Sequence, residues 1–165
     1  MPSFTPIFIP GLLCTELLFA KQRASLPNQG YIADTTRHDS IHDMAQAALD
    51  LCDGPLVPIG LSMGGYVALE MARLAPQRMA AMALLSTNCR DDSAESQRQR
   101  QQAIALAKQK GFQGVTRRLM TRLLSEAALQ DEAIVADVLA MAADIGRIGF
   151  VQQQTAIMGR RAQYD

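Results

Sequence analysis

The chain has no tryptophan, and aromatic residues of all kinds make up 5% of its 165 positions. That leaves too few flat side chains for a platform on which nucleic-acid bases stack. It has no net charge, because 16 Lys and Arg stand against 16 Asp and Glu. Such a balance offers neither the basic footprint that tracks a phosphate backbone nor attraction to an anionic membrane. No apolar run is long enough to span a bilayer. The N-terminus is apolar but lacks the basic stretch and cleavage signal of a secretory leader, and its alternation fits a strand. Cysteine is scarce: Cys14, Cys52 and Cys89 are odd in number, widely spaced and form no Cys-x-x-Cys. They read as reduced thiols of a cytoplasmic protein, with no disulfide frame and no metal site. Cys14 reads as a small buried filler. There is no Gly-x-x-x-x-Gly-Lys and no Gly-x-Gly-x-x-Gly, which leaves a nucleotide-phosphate cradle without its usual signature.

What the chain does have is Gly60-Leu61-Ser62-Met63-Gly64-Gly65, between an apolar run (56–59) and a helical pattern (66–72). This is a Gly-x-Ser-x-Gly nucleophile elbow in the strand–turn–helix setting the motif requires. A serine hydroxyl attacks a carbonyl only if a base takes its proton and if it stands clear of its own backbone. A sharp turn exposes it, and flanking glycines remove side chains that would clash. The helix that follows brings free N–H groups and a positive dipole end to the reacting oxygen. With Gly at about 7% of residues, and Ser similar, a chance match arises in roughly one chain in twenty of this length. A Gly-rich turn with no chemistry is the competing explanation, and the flanking strand and helix count against it.

Hydrophobic residues make up 48% of the sequence, enough for one cored domain with room for a small excursion. Residues 4–9 predict a buried strand closed by Pro10-Gly11. A loop entering a helix follows to about Leu26, then a second strand over 31–34. Ser40-Ile41-His42-Asp43 predicts a capped helix start, and Asp53-Gly54-Pro55 its end. A third strand, 56–61, leads into the elbow, the next helix breaks at Pro76, and a fourth strand is expected over Met79 to Ser86. Strands alternating with short helices imply an α/β fold: a parallel sheet flanked by helices, with its loops gathered at the strands' carboxyl ends.

After Asn88 the pattern changes. Residues 91–161 contain no proline and no strand signal. Asp92-x-x-Glu95 is expected to cap a polar helix through Lys110. Phe112, Val115, Leu119 and Leu123 predict one helix face. Ile134, Val138, Met141 and Ile145 predict another, ending at Gly146, and Phe150, Thr155 and Met158 a fourth helix. The expected division is a core over 1–90 with four parallel strands and an inserted helical lid over 91–162. A helical subdomain needed only for packing has the same signature. A lid with apolar inward faces favours an apolar acyl group. Arg98 to Arg100, Arg117-Arg118 and Arg160-Arg161 read as solvated helix surface.

The elbow, the strand order and the helical insertion together resemble the α/β-hydrolase superfamily. The likeness is closest to small bacterial carboxylesterases of the pimeloyl-carrier-protein methyl ester esterase type. Three stretches carry it: Ile9 to Cys14, Gly60 to Gly65, and Gln153 to Arg160. The resemblance implies Ser62 as catalytic nucleophile and an oxyanion hole built from the backbone N–H groups of Leu12 and Met63. Pro10 stands where the family usually has His, a residue that does no chemistry. The family orders its triad Ser, Asp, His, the last two beyond the lid. The resemblance therefore puts the acid, the imidazole and the last core strands after Asp165, so the chain is expected to be C-terminally shortened and impaired. Of the groups present, His38 and His42 read as polar residues near a helix start. Asp34 falls at the pocket mouth, Asp39 reads as loop and Asp43 as a helix cap. The unpaired outer edge of the fourth strand would then favour a homodimer or strand exchange.

Two functions follow. One is a serine hydrolase that cleaves a carboxylic ester or related acyl compound through an acyl-enzyme at Ser62, with no cofactor and no metal. Carbon–carbon cleavage, peracid formation and acyl transfer share this machinery, whereas dehalogenases place Asp at the elbow. The other is a catalytically incomplete fragment that acts as an interaction module. The hydrolase reading implies a small-molecule acyl substrate and no nucleic-acid or membrane partner. Its substrate-binding residues are not readable from the sequence.

Overall fold

The computed structural model describes residues 4–112 and 114–163. Asp165, from which the sequence predicts further strands, lies outside them. Strand β1 (Thr5–Ile9) runs beside β2 (Tyr31–Ile32) on one side and β3 (Leu56–Leu61) on the other, and β4 (Ala83–Leu85) follows β3. The order is β2-β1-β3-β4 and every pairing is parallel, with Ile7 opposite Tyr31 and Pro58, and Gly60 opposite Leu84. Ile7, Phe8 and Ile9 are all buried, as expected of a strand covered on both faces. Alternation splits them: Ile7 and Ile9 join the main core, while Phe8 meets Phe19 from a 3-10 turn (Glu16–Phe19) at 5.2 Å between ring centroids.

Helix α1 (Ala20–Ala24) is short and exposed. Helix α2 (Ile41–Leu49) starts as the sequence predicts, with the Ser40 hydroxyl accepting the Asp43 N–H at 3.3 Å. Its Ile41, Met44, Ala45 and Ala48 pack with Met63, Val67, Ala68 and Met71 of α3 (Met63–Leu74) over Ile7 and Ile9. Pro76 follows the Ala75 cap and opens a 3-10 turn.

Strand β4 is shorter than the predicted Met79 to Ser86, and Pro58 supplies the reason. The Leu56 carbonyl accepts from Ala80 and the Ser62 N–H donates to Leu85, so even-numbered residues of β3 face this neighbour. Pro58 is one of them and has no N–H. The ladder is an isolated bridge at Met79, then resumes at Ala83. Leu84 and Leu85 remain exposed, and among the described residues no strand pairs with β4's outer edge.

From Ala94 onward the described chain is helical. Helix α4 (Ala94–Leu106) runs into a wider π-type turn (Ala107–Gly111), followed by α5 (Arg117–Leu123), α6 (Glu126–Leu129) and α7 (Glu132–Met158). Ser93, not Asp92, caps α4 through the Ser96 N–H. The expected face over 112–123 is also different. Phe112 and Val115 precede α5, Leu119 and Leu123 are exposed, and Met120 is the residue that turns inward. Thr116 caps the helix, so it begins at Arg117 and its face does not include Phe112 or Val115. Helix α7 breaks at Gly146, where φ is 62° and ψ −172°, at the expected end of one helix. Beyond the break, Gln153, Ala156 and Ile157 are buried in place of Thr155, whose hydroxyl instead donates to the Val151 carbonyl. Ala156 and Ile157 join the main core. Phe112, Val115, Met120, Ala142 and Phe150 form a second apolar cluster around Leu13, and Leu12 touches both clusters. Among the described residues, no helix is long and apolar enough to cross a membrane.

Candidate active site

Three non-glycine residues among those described have left-handed φ: Leu13 at 60°, Ser62 at 53° and Ser86 at 47°. Each follows the carboxyl end of a strand: β1, β3 and β4. Such backbone costs about 1–3 kcal/mol per residue and persists only where the surroundings impose it. At Ser62 they do. Its ψ is −111°, and its N–H donates to the Leu85 carbonyl at 2.8 Å. Its own carbonyl accepts from Gly65 N–H at 3.0 Å and from the Thr87 hydroxyl at 2.8 Å. The turn closes only without side chains beside it. A Cβ at Gly60 would lie 2.3 Å from the Gly64 carbonyl oxygen, and one at Gly64 would lie 2.0 Å from that of Ile9.

The turn after β1 lies against the elbow, since a Cβ built on Gly11 would stand 3.6 Å from the Ser62 Cβ. Cys14 N–H to Gly11 carbonyl closes this turn at 3.1 Å. Leu13 in its third position is left-handed and Leu12 in its second is not, which is type II geometry. The Leu13 N–H is bound by the Gln153 side chain at 3.0 Å. The Leu12 and Met63 N–H groups have no hydrogen-bond partner among the described residues. Ser62 is half-buried, Leu12 half-buried and Met63 fully buried. The structure thus gathers a serine and two amide-bearing residues at one edge of the sheet.

The histidines are elsewhere. Among the described residues, no hydrogen bond links either imidazole to Ser62. His42 is not simply solvent-facing: its Nδ1 lies 3.0 Å from Oε1 of Glu70, a residue missed in the sequence. The Glu70 side chain is 4% exposed. It also accepts from Arg73 Nε and a terminal Arg73 nitrogen at 2.9 and 2.5 Å, and from the Gln163 amide at 2.8 Å. The Arg73 hydrogen bonds hold its carboxyl down at about 2 against the opposing effect of burial, with His42, the Arg73 charge and Gln163 adding to them. The readable signal was a lone Glu in an apolar helix face with Arg three residues on. Because Glu70 ionises more readily folded than unfolded, its contribution to stability is complete above the ordinary carboxyl value of 4.5 and fades as pH falls toward about 2. Acid denaturation followed by circular dichroism should therefore show less pH dependence between those values in Glu70→Gln. That variant should also lose about 1–3 kcal/mol at neutral pH.

Asp34 accepts from the Thr36 N–H and hydroxyl and from Arg37, which lower its pKa despite partial burial. It lines a cavity of about 380 Å³ with Pro10, Cys14, Thr35 and Ile145. Another, of about 200 Å³, lies between His42, Tyr66, Glu70 and Arg160. Ser62 is not in the lining of either. Burial pushes the Cys14 thiol up to about 11, so it carries no thiolate near neutral pH.

Two of the predicted surface arginines are paired with a buried carboxylate. The Asp92 side chain is 5% exposed and accepts from Arg100 at 2.6 Å and Arg160 at 2.8 Å. Arg100 also donates to Gln154 at 2.7 Å, and the Arg160 guanidinium lies 4.1 Å from the Tyr66 ring centroid. Arg98 and Arg118 are exposed as expected, and the Arg117 side chain lies outside the described set.

The thioesterase domain family model matches residues 20–160. The chain belongs to the thioesterase domain family. This family falls within the α/β-hydrolase superfamily, and solved structures similar to the chain share that fold. A thermophilic esterase from Thermogutta terrifontis superposes with a TM-score of 0.82 at 19% identity, covering 98% of this chain and 65% of its own. The enol-lactonase of Burkholderia xenovorans gives 0.74 at 18%, covering 97% and 67%. A carboxylesterase structure from Nitrososphaera gargenis gives 0.72 at 15%, covering 94% and 64%. The chain thus spans about two thirds of these proteins' length, and at such identities the likeness is one of fold. No curated protein matches it in sequence.

Proposed function

We propose that this thioesterase-family protein is a serine hydrolase that cleaves a carboxylic ester, thioester or related acyl compound. Ser62 is the nucleophile, and the Leu12 and Met63 N–H groups receive the oxyanion. The observation that carries this reading is Ser62 itself, at φ 53° and ψ −111° between β3 and α3, beside two amides without partners among the described residues. Backbone donors aimed at a developing oxyanion are worth about 10²–10³-fold each, and their side chains are immaterial. Family membership supports acyl chemistry, and the esterase and enol-lactonase neighbours support an oxoester as readily as a thioester. We read residues 91–162 as a lid on a core of residues 1–90, since Leu12 packs against apolar clusters of both. The imidazole and acid of such chemistry are not assigned to His38, His42 or Asp34, for the bonding described above engages none of them with Ser62.

The test is covalent. A fluorophosphonate should label the folded protein, and peptide mass spectrometry should find the adduct on Ser62. Folded protein without label would point to an interaction module, and label on another residue would place the nucleophile elsewhere. A second prediction isolates the hole. The second position of a type II turn accepts proline, which has no N–H to donate. Leu12→Pro should slow labelling about 10²–10³-fold, while circular dichroism shows an unchanged fold.

A further inference from the structure

Among the described residues, Gln153 is the one buried side chain that ties the helical segment to the active-site edge of the sheet by hydrogen bonds at both ends of its amide. It is 0% exposed and lies on α7 beyond the Gly146 break. Its Oε1 accepts the Leu13 N–H at 3.0 Å, and its Nε2 donates to the Thr35 hydroxyl at 3.2 Å and carbonyl at 3.4 Å. The residues it joins are 140 and 118 positions away in the chain. Leu13 is also one of the three left-handed non-glycine residues.

These facts bear on one peptide plane. In the turn from Gly11 to Cys14, the Leu12–Leu13 peptide follows directly after the Gly11–Leu12 peptide that carries the unengaged N–H. Both planes belong to one four-residue turn closed by the Cys14 N–H, so loss of the Leu13 anchor lets the turn that carries the Leu12 N–H shift. Leu13 without glycine's freedom resists φ near 60°, and an alternative turn that flips the Leu12–Leu13 plane would relieve it. The Gln153 carbonyl oxygen opposes that flip, because a flipped plane would present the Leu12 carbonyl to it in place of the Leu13 N–H.

We infer that Gln153 is a positioning residue that holds the Leu12 N–H in its catalytic orientation by anchoring Leu13, so that the seating of α7 on the core governs the oxyanion hole. This rests on the hydrolase reading above. Gln153 differs from a merely structural amide in that its effect on rate runs through one acceptor atom. Gln153→Met keeps the length and removes that acceptor. Gln153→Glu keeps an oxygen for the Leu13 N–H and another for the Thr35 hydroxyl, but loses the donor.

The experiment measures fluorophosphonate labelling rates, thermal midpoints and hydrogen exchange at the Leu13 amide in the full chain. Gln153→Met should lose Leu13 protection and label at least about tenfold more slowly, since an oxyanion donor displaced by an ångström forfeits up to about 10²-fold. Gln153→Glu should lower the thermal midpoint comparably yet label within about threefold of the parent, its acceptor in place. Thr35→Val, which leaves the Leu13 bond alone, should label like the parent. If Gln153→Met does not fold, Gln153→Asn, one methylene too short to reach Leu13, takes its place with the same expected slowing. Parent-like labelling in the variant that has lost Leu13 protection would overturn the inference, as would rates in all variants that simply follow their thermal midpoints. Failure of the parent chain to label at Ser62 would instead remove the hydrolase reading, and is seen before any Gln153 variant is compared.

Discussion

Ser62→Ala should abolish covalent capture of a fluorophosphonate and leave the thermal midpoint within about 2 °C of the parent. Both halves follow from how the residue is held. Its bonds to Leu85, Gly65 and Thr87 all run through the backbone, and its side chain caps nothing. Alanine keeps the Cβ and therefore the same left-handed strain, so the elbow is neither relieved nor loosened. The chemistry has no substitute. The Cys14 thiol is raised to about 11, and the His42 ring is turned to Glu70. Removing a nucleophile of this kind leaves only what an oxyanion hole and binding supply, and neither forms a covalent adduct. Intact-mass and peptide mapping decide the matter: a phosphonyl adduct on the alanine variant would place the nucleophile elsewhere.

Asp92→Ala should cost about 3–5 kcal/mol, a large fraction of a domain's whole stability. Asp92 sits just before α4 and Arg160 just after α7, so their ion pair joins the passage into the helical segment to the passage out of it. Arg160 is 6% exposed, and truncating its partner strands a cation in the interior. Its bonds to the Arg90 and Ile157 carbonyls and its place over Tyr66 do not neutralise it. Arg100 is 23% exposed and reaches solvent, so Arg100→Met should cost less. Urea denaturation of the two variants ranks them. Equal and small losses would mean that Asp92 is not the charge that holds these passages together.

The same residues show what was legible in advance. The elbow, the Ser40 cap, the stop at Pro76 and the break at Gly146 are written within a few positions of where they act, because each depends on local backbone geometry. The hydrophobic runs of β1 and β3 are as direct, since a strand buried on both faces needs little else. Asp92 was misread as a cap because its spacing to Glu95 satisfied a local rule. Ser93, one residue later, takes the cap, and Asp92 is bound instead by a residue at the far end of the segment. Strand β4 was read too long because its own residues are apolar throughout, while the missing donor is on Pro58 in the neighbouring strand.

By itself the amino-acid order determined the sheet-and-helix class, the sharp strand-to-helix turn at Ser62 and the second turn that lies against it. Only the tertiary structure decided that Glu70 gathers His42, Arg73 and Gln163, that Asp92 is a buried anion, and that Gln153 spans Leu13 and Thr35. The physical reason is range. Turns, caps and strand patterns are settled by sterics among neighbours, whereas a buried polar group must find its partner wherever the fold delivers one. Those partners are 28 and 140 residues distant for His42 and Leu13, and no local pattern records them.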